Sequence, residues 1–409
     1  MEKQGMWFYL FCFAALSACI DPYTLQIGKY KSLLVVEGLI TDENIPYGIK
    51  LSYTFQSADL ATPEVTDAVV YITDETGNMA SLTYSGGGIY KTDSTIFTGQ
   101  TGKTYTLHIN TSDGNKYESD PCQMLPVAGV DSVYYGKEEV PGTTEGKMLD
   151  GIEIYLDSNE GNGSQSYFRW TYEETWEFRL PYPQAYIYID SENIIPVTAI
   201  KDHCWKSNES GEILVDLILP GNSDIIQKEP INFIQSDLSD RLTVRYSILV
   251  KQLSISQKEY DFWNSLKQVN ENTGSIFDTQ PYSIISNIHN VSNPDEKVLG
   301  YFSVSAEKEK RIYINPQDLG EMDLPQYNYG CYEIITNPGL YYHGSPPRDP
   351  NLCTFDYIYS LFMAAGVYSF VEPIYDSTGA LSYIVFAFSS CSDCTLTGSI
   401  NPPAFWTEK

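Results

Sequence analysis

The chain has 409 residues, which indicates two or three domains, and its 53 acidic against 25 basic residues give a formal net charge of −28. So acidic a protein is repelled by phosphate backbones, which argues against nucleic acid as a partner. Hydrophobic residues make up 42% of the chain and 33 residues are tyrosine, which argues against disorder and favours a mainly β fold.

The first element along the chain is a short apolar segment at residues 6–18. It is too short to span a bilayer as a mature helix, but it has the length of a secretory signal. It ends Leu16-Ser-Ala-Cys19, with small residues before a cysteine as in the lipobox of bacterial lipoproteins. We therefore predict that residues 1–18 are a signal peptide, that Cys19 is lipidated, and that residues 19–30 form a tether anchored by acyl chains. The alternative is an ordinary signal peptide beside an unmodified cysteine.

Short strands are predicted throughout residues 31–125. A continuous apolar run occupies residues 33–36, and apolar and polar residues alternate at 49–53 and 105–109. About seven such strands, separated by glycine-containing turns, indicate an immunoglobulin-like β-sandwich. We expect Asp113-Gly114 to form a type I′ hairpin turn, in which both central residues need a positive φ.

A second, larger β-rich domain is predicted for residues 127–409, after Pro126. Its clearest strand is residues 168–178 (FRWTYEETWEF), where the even positions place five aromatic side chains on one face. Glu174 also lies on that face, so its carboxylate needs a partner, a bulge or a wet pocket.

One or two short helices are expected in this second domain. Ser256 and Glu259 have the spacing of a capping box, and Ile255 and Tyr260 fit a hydrophobic staple. These signals predict a helix near residues 257–270. Two further apolar stretches predict a shorter helix at residues 357–366 and a buried strand at residues 383–388.

Six cysteines follow Cys19, an even number that favours disulfides outside the cytoplasm. The sequence does not choose among the fifteen possible pairings of Cys122, Cys204, Cys331, Cys353, Cys391 and Cys394. The Cys391-Ser-Asp-Cys394 spacing also occurs in zinc and redox sites, but the chain has neither a second such pair nor a βαβ context. We predict that Cys391 and Cys394 are oxidised, either to each other or to other cysteines of the second domain. No metal or cofactor is expected.

Catalytic motifs do not occur in the sequence: it has no GxSxG, no HExxH, no P-loop and no dinucleotide fingerprint. We therefore do not expect an enzyme. Trp170, Glu174 and Trp176 combine aromatic platforms with a carboxylate, as carbohydrate sites do, and are candidate binding residues. The alternative, which we favour, is a structural strand with an aromatic core face. The four histidines, among them His289, are scattered and are expected to be surface or structural residues.

Several segments together resemble one known family. They include residues 33–43 (LLVVEGLITDE), 105–121 (YTLHINTSDGNKYESDP), 168–176 (FRWTYEETW), 254–263 (SISQKEYDFW), 287–294 (NIHNVSNP) and the ending 391–406. This pattern is similar to the Bacteroidota lipoprotein family known as domain of unknown function 4249, over nearly all of the mature chain. Members are usually encoded beside a TonB-dependent outer-membrane transporter. In these bacteria an acidic residue such as Asp21, close to the lipidated cysteine, favours export to the cell surface.

The resemblance implies an outer-membrane, surface-exposed lipoprotein that serves as an accessory or substrate-binding partner of a TonB-dependent barrel. It implies no catalytic residues. Two alternatives remain: a standalone surface lipoprotein that binds carbohydrate or peptide, and a structural envelope protein or adhesin.

Overall fold

The computed structural model describes residues 32–55, 63–142, 144, 146–159, 166–218, 225–272, 284–325, 330–341, 349–352 and 354–406. The fold is mainly β, with a few short helices. The strands are β1 (Leu34–Ile40), β2 (Gly48–Tyr53), β3 (Val69–Asp74), β4 (Met79–Tyr84), β5 (Ile89–Lys91), β6 (Thr104–Asn110), β7 (Lys116–Ser119), β8 (Cys122–Gln123), β9 (Val130–Pro141), β10 (Met148–Asn159), β11 (Ser166–Arg179), β12 (Tyr186–Asp190), β13 (Asn193–Pro196), β14 (His203–Glu209), β15 (Leu214–Ile218), β16 (Ile225–Gln235), β17 (Arg245–Ile255), β18 (Ile288–Asn290), β19 (Leu299–Val304), β20 (Glu307–Ile314), β21 (Glu333–Thr336), β22 (Tyr368–Tyr375) and β23 (Leu381–Phe388). The helices are α1 (Gln257–Asn272), α2 (Pro338–Tyr341) and α3 (Phe355–Ala364).

The N-terminal module consists of β1–β8 together with β18 and β19, in a sandwich-like arrangement around one core. Its strand order is β18-β7-β6-β3-β4-β5-β2-β1-β19, with β8 beside β6. Alternation buries one face of β6, where Tyr105, Leu107 and Ile109 all point into the core. These are the positions that the sequence pattern predicts to be apolar and inward.

A segment far along the chain completes this module. β19 pairs in parallel with β1, and β18 pairs antiparallel with β7. The domain boundary predicted at Pro126 places β18 and β19 in the second domain. In the structure, however, Phe302 and Val304 of β19 are buried in the core of the N-terminal module. The physical reason is that β1 and β7 would otherwise be open sheet edges, and the returning segment covers both.

The turn at Asp113-Gly114 differs from the expected type I′ turn. Gly114 has a φ of 91°, but Lys228 is the only residue other than glycine with a positive φ in the described part of the chain. Instead, the amide of Thr111 donates to the carbonyl of Asn115, and the Asp113 carboxylate accepts from the amide of Asn115 at 3.2 Å. Because Asp113 fixes this wider turn with its side chain, only the glycine needs the left-handed conformation.

The middle module consists of two facing sheets, β16-β10-β9 and β14-β11-β17-β20 with β15 beside β11. The predicted aromatic face of β11 is confirmed, since its five aromatic side chains are all buried: Phe168, Trp170, Tyr172, Trp176 and Phe178. They pack against Ile152 and Ile154 of β10 and Ile248 and Val250 of β17 in one core.

Helix α1 connects the middle module to the N-terminal module. The hydroxyl of Ser256 accepts from the amide of Glu259 at 3.2 Å, which confirms the predicted helix start. On one side Trp263 lies 3.9 Å beneath the guanidinium of Arg169 of β11; on the other, Phe262 packs on Tyr301 of β19. Among the helices in the described ranges, none is long and apolar enough to cross a membrane.

The C-terminal module consists of the hairpin β12–β13, the sheet β21-β23-β22 and helices α2 and α3, with a core of its own. The predicted strand at residues 383–388 is the end of β23. The predicted helix at residues 357–366 is α3, but it starts two residues earlier because the hydroxyl of Thr354 caps it by accepting from the amide of Tyr357.

Candidate functional site

The two candidate tryptophans of β11 lie in the core. Trp170 is 1% exposed and Trp176 is 8% exposed. Each indole N–H has a buried acceptor: Trp170 donates to Gln252 at 3.0 Å, and Trp176 donates to Asp240 at 2.8 Å. Neither ring is presented to a ligand, which agrees with the interpretation of this strand as structural.

Glu174, the third candidate, is a buried carboxylate with three partners. Its side chain is 1% exposed and accepts from Arg241 at 2.9 Å, from the Tyr246 hydroxyl at 2.9 Å and from Asn208 at 3.2 Å. Burial, together with the Glu174 charge, raises the pKa of Tyr246 well above its ordinary value, so this hydroxyl stays a donor. The buried carboxylate of Glu174 is therefore paired, as the sequence pattern requires, and its role is to stabilise the core.

The cysteines of the CxxC segment are oxidised, as predicted, but not to each other. Cys204 is bonded to Cys394, which ties the middle module to the C-terminal module, and Cys331 is bonded to Cys391. Both sulfurs of the CxxC segment are in disulfide bonds, so neither is available as a thiolate ligand for zinc. Of the remaining cysteines named from the sequence, Cys19 and Cys353 lie outside the described residues.

Cys122 has a free thiol, although it was a disulfide candidate. It belongs to the N-terminal module, whereas the four paired cysteines belong to the other two. Its sulfur donates to the carbonyl of Asp120 and accepts from the side-chain amide of Asn287, both at 3.3 Å. Burial raises the pKa of Cys122 to about 12. The thiol therefore stays protonated at neutral pH and is no nucleophile.

A concave site lies where α1 meets the N-terminal module. We call it the junction cavity; its volume is about 330 Å³. Helix α1 supplies one wall, the residues around β18 supply the opposite wall, and β19 supplies part of the floor. The lining residues within the described ranges are Asp120, Lys258, Asp261, Phe262, Ser265, Ile285, Ser286, Asn287, His289 and Tyr301.

An ion-paired cluster lies at one side of the junction cavity. One carboxylate oxygen of Asp120 lies 2.9 Å from Nε2 of His289, and the other lies 3.2 Å from Nζ of Lys258. Desolvation acts to raise the pKa of Asp120, but the hydrogen bonds from His289 and Lys258 outweigh it and hold the pKa below its ordinary value. Asp120 is therefore an anion whose two oxygens are both occupied.

The apolar floor is fixed from beneath. Phe262 and Tyr301 are both buried, with ring centroids 4.8 Å apart. Phe262 also packs on Trp263, whose indole donates at 3.2 Å to the buried carboxylate of Glu259. Burial, with the nearby Glu259 charge, raises the pKa of Tyr301. These contacts hold the floor in one arrangement before any ligand arrives.

A metal centre is not built from the described residues, since no group of three or more histidines, cysteines or acidic residues there could hold an ion. The sequence predicts a surface or structural role for His289, and no sequence motif marks Asp120 or Asp261. The one local signal at this site was the capping box, which fixes the start of α1 and hence the positions of Lys258 and Asp261.

The family assignment follows from comparison with known proteins. Residues 20–311, over two thirds of the chain, match the family described as "Domain of unknown function (DUF4249)". The chain belongs to this family. No curated protein matches it. The DUF4249 match includes the junction cavity and ends within β20, so it covers less of the mature chain than expected and leaves β21–β23 outside.

Proposed function

We propose that this DUF4249 protein is a lipid-anchored, surface-exposed outer-membrane protein of the Bacteroidota and an accessory or substrate-binding partner of a TonB-dependent barrel. The observation that carries the proposal is geometric. The described chain enters the N-terminal module at residue 32, just before β1, and the middle module joins the N-terminal module at the other end of β1.

The tether end is the start of β1. Residues 19–30 precede it in the sequence, and the amide of Leu33 donates to the Thr54 side chain at 3.0 Å. At the other end, Leu125 forms a bridge with Ser305, and the amide of Ser305 donates to the carbonyl of Ile40 at 3.1 Å. Because β1 spans about 20 Å, the N-terminal module is suited to act as a spacer between the anchor and the rest of the protein.

An acyl anchor would confine this spacer to the membrane plane. Confinement raises the effective concentration of the protein near any membrane partner without a strong contact. The family match starts at residue 20, directly after Cys19, which is the mature N-terminus expected from the lipobox. Anchor, spacer and outer modules together fit a protein held over the mouth of a barrel.

Replacing Cys19 with Ala tests the anchor and the function in one strain. We expect the variant to leave the membrane fraction or to retain its signal peptide, since it lacks the thiol that receives the lipid. Growth on substrates of the neighbouring transporter should then fall to that of the deletion strain. Wild-type membrane fractionation with normal processing would contradict the anchor, and normal growth of the deletion strain would contradict the role in uptake.

One observation favours a second function. The junction cavity has the size of a small-molecule site, so a standalone surface lipoprotein that binds a peptide or carbohydrate fragment is the alternative. A lipidated protein that binds a ligand, but whose deletion leaves uptake intact, would favour this function.

A further inference from the structure

We propose that the junction cavity binds a small ligand that carries an ammonium group on a short apolar or aromatic body. The inference concerns a site within one chain, so it holds whether or not the protein acts beside a barrel. It depends on three features of the cavity: its charge, its apolar surface and its size.

The charge of the cavity favours a cation. Asp120 and Lys258 neutralise each other as an ion pair, and Nε2 of His289 is hydrogen-bonded to the same carboxylate. The carboxylate of Asp261 remains exposed one turn along α1, and no lysine, arginine or histidine within the described ranges lies at ion-pair distance from it. An ammonium group bound there would gain a charge-assisted hydrogen bond.

The electrostatic field of the whole protein also favours a cationic ligand. A net charge of −28 raises the local concentration of cationic ligands and lowers that of anionic ones. Lys258 does not cancel this preference at the cavity, because Asp120 holds its ammonium group.

The apolar surface limits the body of the ligand. Phe262 and Tyr301 form the fixed floor, and Ile285, which also lines the cavity, is 79% exposed and therefore accessible to a ligand. A phenyl ring or short alkyl chain placed between Ile285 and the floor would cover this surface. The volume of about 330 Å³ lies at the lower end of the range for small-molecule sites and fits a ligand of this size.

The test uses the full-length mature lipoprotein in mild detergent and isothermal titration calorimetry, with ligand titrated into empty micelles as the blank. The probes are phenethylamine and 3-phenylpropionate, which share the ring and differ in charge. We expect phenethylamine to bind and 3-phenylpropionate to show no binding. No binding of phenethylamine, or equal binding of the two probes, would overturn the inference.

Two variants locate the site. Asp261→Asn should weaken phenethylamine binding about tenfold, the value of one charge-assisted hydrogen bond. Ile285→Ser should also weaken it, through loss of apolar contact. The matched control is Asp295→Asn, which removes the same charge from an exposed position outside the cavity and should leave the affinity unchanged. Equal affinity in Asp261→Asn and Asp295→Asn would show that binding, if any, reflects the general acidity of the protein and would contradict the proposed site.

Discussion

Replacing Arg241 with Met is expected to lower the free energy of unfolding by about 3–5 kcal/mol. The substitution leaves the carboxylate of Glu174, which is 1% exposed, without its ion-pair partner in the core of the middle module. Trp176 lies 5.2 Å from the Arg241 guanidinium, so its fluorescence reports the loss of this core during urea unfolding. The measured quantity is the shift of the urea midpoint at constant slope.

Replacing the other member of the pair, Glu174, should lower the free energy of unfolding much less. In Glu174→Gln the remaining charge is that of Arg241, whose side chain is 31% exposed and can be hydrated. Combining Glu174→Gln with Arg241→Met should recover part of the loss, since no charge then stays buried. Arg179→Met is the matched control, because Arg179 is exposed at the end of β11, the strand that carries Glu174. It should change the free energy of unfolding by less than about 0.5 kcal/mol. A loss in Arg241→Met no larger than that in Glu174→Gln would contradict the role given to this pair.

Removing the disulfide between Cys204 and Cys394 is the second large effect. These cysteines are 190 residues apart in sequence, against 60 for Cys331 and Cys391. In the chain-entropy account, the longer loop contributes about 5 kcal/mol and the shorter one about 4 kcal/mol. The double substitution of Cys204 and Cys394 by Ala should therefore destabilise the protein by about 1 kcal/mol more than that of Cys331 and Cys391.

Urea unfolding without reductant measures this difference, and each double variant is free of unpaired sulfurs from the removed bond. Reductant serves as the control, because it breaks the remaining disulfides in all three proteins and should bring their stabilities close together. The reverse order of stability would contradict the loop-length explanation. Stoichiometric alkylation of Cys391 and Cys394 in the folded, unreduced protein would contradict the pairing itself.

Local sequence patterns predicted the elements whose signal is local. Residues 168–178 alternate with period two, and the structure buries the aromatic face that this alternation defines. The capping box at Ser256 and Glu259 located the start of α1. The sequence also showed that Glu174 needs a partner, but Arg241 and Tyr246 come from other parts of the chain and could not be chosen in advance.

Long-range contacts explain what the sequence could not predict. The parallel pairing of β19 with β1 leaves no periodic signal, so the boundary predicted at Pro126 separates residues 288–304 from the strands with which they pair. The same pairing assembles the junction cavity, because it brings His289 and Tyr301 to Asp120 and α1. Disulfide pairing depends on these contacts too, and cysteine spacing alone gave no preference among the possible partners.

The proposed complex with an outer-membrane barrel is tested most directly by affinity purification of the native, membrane-extracted protein in mild detergent, followed by mass spectrometry. The Cys19→Ala protein, purified in the same way, controls for contacts made only after the membrane is dissolved. We expect a TonB-dependent barrel to be recovered with the wild-type protein in near-stoichiometric amount, and far less of it with the variant. Recovery of the wild-type protein as a clean monomer would contradict the proposed complex.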